Sequence, residues 1–246
     1  MPVLPPFIWL LIAAFAAIFP GRAYSADSLH LYTADIPGHA SKSSHEPGMA
    51  LEITRVAAVR ADIELEEHFV PWPRAMRIVE TRPSALIIPI SRTPVRENRF
   101  TWIEELYSVE LGFISLVQPI NDKDTARKLE RVGVWRGTSM ESELWQDGFK
   151  NIVAVSNDMA LAKMLTAGRF DAWYGSLSEA AYQFRDLDVA NREKIRFGRP
   201  VHSDPIWLAG GVSLPGSVVV RLQAALQSMR RDGIIRAITK HYEFDH

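Results

Sequence analysis

Residues 85–90, Ala-Leu-Ile-Ile-Pro-Ile, are six consecutive positions without a polar side chain. So short an apolar run fits a strand buried on both faces, and such a strand needs helices on both sides of its sheet. That restricts the chain to an α/β architecture. The surrounding sequence agrees. SLHLYTA (28–34), residues 63–70, RVGVW (131–135), NIVAV (151–155), FDAWYG (170–175) and IWLAGG (206–211) read as further strands. Amphipathic stretches lie among them. GMALEITRVAAVRA (48–61) predicts a helix burying Met49, Ile53 and Val56, and PWPRAMRIVETR places Trp72, Ala75, Met76 and Val79 on one helical face. Ser156-Asn157 caps the predicted helix DMALAKMLTAG, with Gly168 at its C-terminal stop. SVVVRLQAALQSMRRDG and IIRAITKHY supply the last two helices. There is no internal repeat, and the extended polar loop is DIPGHASKSSHEP (35–47). Loops that follow buried strands in such folds tend to face a ligand crevice.

Before the first strand comes FIWLLIAAFAAIF, residues 7–19, uncharged, too short to span a bilayer and of the right length for a signal-peptide core. Residues 1–25 are therefore expected to be a signal peptide. Cleavage after Ser25 fits the small-x-small rule best, although no Lys or Arg precedes the apolar run. The expected location is the periplasm, without stable membrane insertion afterwards. The chain has no cysteine, which excludes disulfides, thiolate chemistry and lipid attachment at a processed N-terminal Cys. With 28 basic and 29 acidic residues, a formal charge of −1, it carries no field to hold nucleic acid.

Arginines crowd the segment after the apolar strand, ISRTPVRENRFTW (90–102). Thr93 followed by Pro94 is an N-cap and first-turn signal, so a short helix is expected there. Arg96 on such a turn offers a planar fork that can grip a carboxylate. It could equally pair with Glu97 or Glu104 on the surface; Arg92 and Arg99 read as surface or interlobe residues. A second element, Arg136-Gly137-Thr138-Ser139, joins a strand to the predicted helix MESELWQDG, where free N–H groups and hydroxyls favour an anion. The same residues also suit a plain helix cap.

PWPRAMRIVE, ISRTPVRENRFTW, RVGVWRGTSMESEL, LTAGRFDAW and LQSMRRDGIIRAITKHY occur in the order and spacing of the family 3 extracellular solute-binding proteins, which the chain resembles over about residues 30–245. The resemblance implies the periplasmic binding protein type 2 fold: two lobes, each a mixed sheet flanked by helices, joined by two hinge strands. Lobe 1 would hold 26–108 and 206–246, and lobe 2 would hold 109–205. It implies a periplasmic receptor that binds a small solute between the lobes and delivers it to an inner-membrane ABC importer, as a monomer and without cofactor. Arg96, at the end of the turn opened by Ser91, would take the ligand carboxylate, and Thr138 and Ser139 would complete the clamp. Read from the residues alone, Trp72 at a helix start and Trp173 at a strand end could each stack on the ligand or pack in the core. Ser176 stands where amino-acid receptors of the family carry the aspartate that holds the ligand ammonium. A hydroxyl cannot neutralise a buried cation, so either another acid substitutes or the ligand lacks an amine.

No catalytic constellation is evident: Gly-x-Ser-x-Gly, His-Glu-x-x-His and a phosphate loop are all missing. His39, His45 and Glu46 fit no metal-ligand spacing, so no metal is expected. Trp145 and Trp207 are expected in the core. The alternatives to transport are a cleft enzyme of dehydratase type and a sensor for a membrane partner, because fold does not fix function. A carboxylate or histidine beside the clamp with a displaced pKa, with Glu46 and His39 the nearest candidates, would favour the enzyme.

Overall fold

The computed structural model describes residues 27–43, 45–185 and 192–242; the expected signal segment lies outside them. Nine described strands make one sheet. Its order is β2 (Ile63–Phe69), β1 (Asp27–Thr33), β3 (Ala85–Ser91), β9 (His202–Gly210), β4 (Thr101–Ser115), β7 (Ala172–Ser176), β5 (Val132–Trp135) and β6 (Ile152–Val155). The short β8 (Arg196–Phe197) pairs with β4 off this path. The outer pairs are parallel, while β3–β9, β9–β4 and β4–β7 are antiparallel. The sheet is therefore mixed in each half. β4 and β9 join the halves: β4 ladders with β9 from Thr101 to Leu111, then turns its last residues to β7.

β3 is buried on both faces, as its run of apolar residues requires; Leu86, Ile87, Ile88 and Ile90 are all inaccessible. Helices α1 (Met49–Arg60) and α2 (Trp72–Thr81) follow the expected segments, and the buried residues of α2 are Trp72, Ala75, Met76 and Val79. In α1, Met49 and Ile53 are buried and Val56 half-buried. The second half carries α3 (Lys123–Arg127), α4 (Ser139–Gln146), α5 (Asp158–Thr166) and α6 (Leu177–Phe184). The chain returns through β9 to α7 (Gly216–Arg231) and α8 (Ile234–His241). Asn157 caps α5 by accepting from the Ala160 N–H at 2.8 Å. At the other end Gly168, with φ of +64°, sends its N–H to Leu165 O while Arg169 N–H reaches Met164 O. This double closure is the Schellman motif. No described helix is long and apolar enough to cross a membrane.

Two expectations fail. Thr93-Pro94 starts no helix: the N–H groups of Arg96, Glu97 and Arg99 each reach back three residues, giving a run of tight turns. Trp145 is 54% exposed on α4, not core, and Trp207 is half-buried.

Backbone hydrogen bonds fasten the 35–47 loop to the start of α1. α1 has no side-chain cap; its first N–H groups go to the loop, Met49 to Gly38 O at 2.9 Å and Leu51 to His39 O at 3.1 Å. Gly48 makes this approach possible, with φ of +96° and with a Cβ position only 2.4 Å from the His39 carbonyl carbon. Gly48→Ala should therefore cost about 1–3 kcal/mol of stability through backbone strain, checked by denaturant unfolding; a variant as stable as the parent would show that the loop yields freely.

Candidate functional site

The sheet delivers the site's parts to one place. β3 ends at Ser91, the turns after it carry Arg96, β5 ends at Trp135 just before Gly137-Thr138-Ser139, and hinge strand β9 brings Asp204. Ser91, Arg96, Trp135, Thr138, Ser139 and Asp204 line a cavity between the halves. Only about 50 Å³ of it admits the centre of a water-sized sphere, room for roughly three to five ordered waters. Ile36, Trp72, Pro89, Val109, Trp135 and Ile206 give it an apolar wall, interrupted by Ser176, Glu179 and Asp204.

Arg96 is buried, 7% exposed, and has no ion-pair partner among the described residues. Its guanidinium donates to Ser91 O at 3.1 Å in its own half and to Gly137 O at 3.4 Å in the other. Desolvation pushes its pKa down to about 10, against the opposing pull of the Asp204 charge. It remains a cation at neutral pH. The surface pairings that might have claimed it belong to its neighbours: Arg92 grips Glu97 at 2.5 and 2.9 Å, and Arg99 pairs with Glu80. Arg92 also covers Trp102 and Trp207.

Hydroxyls and one acid bind the halves beside it. Ser91 Oγ donates to Asp204 at 2.6 Å, and Ser139 Oγ lies 2.9 Å from Ser91 Oγ and 3.3 Å from Asp204. Burial raises the Asp204 pKa, and the hydroxyl bonds only partly oppose it. Thr138 is committed to its helix: its hydroxyl donates to Trp135 O at 2.6 Å and accepts the Glu141 N–H at 3.4 Å. Glu141 in turn takes the Gly137 N–H at 2.6 Å. One donor expected to face an anion is thus satisfied by the chain's own carboxylate, leaving the Ser139 and Met140 N–H groups without an intrahelical acceptor. The positive φ of Gly137, +76°, turns its carbonyl toward Arg96.

Trp72 forms part of the cavity wall, and its Nε1 is buried without a partner. Trp173 does not reach the cavity. It is completely buried in the core with its ring edge-on to Phe184, a correction to its expected place. Ser176 lines the cavity but caps α6, accepting the Glu179 N–H at 3.3 Å.

Sequence reasoning missed Asp204 and Glu179. Glu179 belongs to a buried chain of hydrogen bonds between the halves. His39 stands 2.6 Å from the Tyr107 hydroxyl through Nδ1 and 2.8 Å from Glu179 through Nε2. Burial, then the Glu179 charge, raise the Tyr107 pKa well above its usual value, so the phenol keeps its proton. With the Tyr107 hydroxyl donating to Nδ1, the matching His39 tautomer carries its N–H at Nε2, facing Glu179. Asp158 shares a hydrogen bond with the same carboxylate, and burial lifts it well above the carboxylate range. Asp158 is the protonated member. Glu46, by contrast, faces Arg185 at 3.0 Å and Tyr182 at 3.4 Å on the surface, with its pKa lowered first by the Arg185 hydrogen bond.

No family model matches the chain, and no curated protein matches it by sequence. Solved structures do match. A histidine kinase sensor domain with similarity to periplasmic binding proteins aligns with TM-score 0.78 at 16% identity, over 88% of this chain and 95% of that one. The fold is that of the two-lobe periplasmic binding proteins. An ancestral arginine-binding protein bound to arginine aligns with TM-score 0.76 at 15% identity, covering 88% and 98% of the two chains. An ancestral amino acid-binding protein, AncCDT-1, described as a precursor of cyclohexadienyl dehydratase, gives 0.71 at 16% identity, with 87% and 94% covered.

A carboxyl whose folded pKa is raised holds its proton longer than in the unfolded chain, where it titrates near about 4. Stability is then greatest below that value and falls as pH rises toward the folded pKa. Asp158→Asn keeps a donor for Glu179 at every pH. It should raise stability at neutral pH and flatten the decline above about pH 4, as read by denaturant unfolding across pH; an unchanged profile would place the Asp158 proton elsewhere.

Proposed function

We propose that the chain is an exported solute receptor that closes on a small carboxylate-bearing molecule. Arg96 takes the carboxylate, with Ser139 and the first N–H groups of α4 completing the grip and Trp72 walling the solute in. The buried Arg96 guanidinium carries this reading. It spans both halves, has only carbonyl partners, and lines the cavity between them. A charge-assisted bond to an anion contributes about 1.5–3 kcal/mol, and this cation has no carboxylate of its own to give up. Asp204 and Glu179 on the same wall make up for the acid missing at 176, so an amino-acid-like zwitterion suits the cleft. Closure follows because the lobes must meet for Arg96 and Ser139 to act together. Delivery to an inner-membrane ABC importer from the periplasm, by a monomer, completes the reading; the sensor-domain likeness makes signalling to a membrane partner the other use of the same closure.

One observation favours an enzyme instead: Asp204, buried and with its pKa raised, stands beside the clamp in the position a general acid would need. Incubating the bound solute with the protein and following it by NMR separates the two. Turnover lost in Asp204→Asn supports catalysis, and an unaltered solute supports capture.

Calorimetry over a panel of amino acids, dicarboxylates and polyamines should find a carboxylate-bearing solute whose affinity Arg96→Ala lowers at least tenfold, about 1.4 kcal/mol. Arg96→Met should do the same while leaving the solute-free melting temperature unchanged or higher, since it removes a desolvated charge. Undiminished binding in both variants overturns the assignment.

A further inference from the structure

His30, Tyr32, Glu66 and His68 form a block on one face of the first half's sheet. β1 and β2 are parallel neighbours there, His30 opposite Glu66 and Tyr32 opposite His68, so period-two alternation points all four the same way. Three ligand atoms converge. His30 Nδ1 is 3.0 Å from His68 Nε2 and 3.0 Å from Glu66 Oε2, and His68 Nε2 is 3.3 Å from Glu66 Oε1. Donors held about 2.0–2.2 Å from a tetrahedral zinc ion stand about 3.3–3.5 Å from one another. We propose that His30, His68 and Glu66 bind a zinc-like divalent transition-metal ion, at a site separate from the interlobe cavity.

The surroundings favour such a site. Two imidazoles and one carboxylate suit zinc and leave the fourth position to water. Both rings are held by neighbours. Tyr32 stacks on His68 with centroids 4.7 Å apart and planes 18° from parallel, and Arg82 contacts His30 Nε2 at 3.0 Å while donating to the Tyr32 hydroxyl at 2.6 Å. The histidine side chains are 22% and 28% exposed and Glu66 is 60% exposed, so an ion has a path in. The histidines of the 35–47 loop do not compete as a cluster: His39 is committed to Glu179 and Tyr107, and His45 is exposed.

Arg82 sets a threshold. A guanidinium can only donate, so His30 Nε2 accepts and Nδ1 carries the proton in the metal-free state. Metal on Nδ1 moves that proton to Nε2, where it would face the Arg82 N–H. Arg82 must then swing away. It is exposed, and its departure costs affinity.

The test is calorimetric titration of zinc chloride alone into chelator-stripped protein, with cobalt(II) absorption as a second reading. The proposal expects saturable binding of one equivalent, tetrahedral cobalt bands, and at least tenfold weakening in both His68→Ala and Glu66→Gln. Arg82→Gln, whose amide oxygen can accept the Nε2 proton, should tighten binding at least threefold. Glu66→Gln lies at an exposed position and keeps the test open if His68→Ala fails to fold. Absence of saturable binding overturns the site, as does binding that Glu66→Gln and His68→Ala retain in full.

Discussion

A guanidinium removed from water must be resolvated by the protein, and Arg96 is resolvated by two carbonyls drawn from opposite halves. Carbonyl dipoles replace only part of the hydration that burial removes. The remaining deficit sets a preference for negative charge at that point. The same bonds tie the halves together, since Ser91 and Gly137 meet through Arg96, beside the Ser139–Ser91 and His39–Glu179 contacts. The rest of the cleft follows: Ser139 reaches Ser91 and Asp204 only while the halves hold this spacing.

The wall is nevertheless two-signed. Glu179, tied through His39 to Tyr107 on the hinge strand, brings a carboxylate to the cavity Arg96 also lines. Its neighbour Asp158 stays neutral because burial, and then the nearby Glu179 charge, disfavour a second carboxylate there. A fixed cation and acids on one surface are the charge pattern that the proposed zwitterionic solute would meet.

Much of the architecture was legible because local rules agreed with the tertiary fold. Trp72, Ala75, Met76 and Val79 kept helical spacing, and 85–90 kept an unbroken apolar run. β4 was not legible. Its buried residues Ile103, Leu106 and Val109 recur every third position, a helical interval, because its ladder with β9 shifts register twice in that stretch. The turn after Thr93 failed as a helix because closures reaching back three residues satisfy its backbone without a further turn. Arg96, Ser91 and Ser139 came together as their motifs suggested. Asp204 and Glu179 carried no motif, since what brings them to the cavity is the pairing of β9 with β4 and the packing of a helix start. Trp173 lies in a strand buried at every position, where alternation sends its ring into one core and that of Tyr174 into another.

The register shifts in the β4–β9 ladder, between Trp102 and Glu104 and between Glu105 and Tyr107, have a mechanical meaning. An interrupted ladder twists and bends more readily than a continuous one. Compliance is thus concentrated in a few residues of the joining ribbon, next to Tyr107, while the flanking pairs stay stiff. For the closure proposed above, such a ribbon would set the axis of swing by backbone geometry, leaving recognition to the side chains of the cleft.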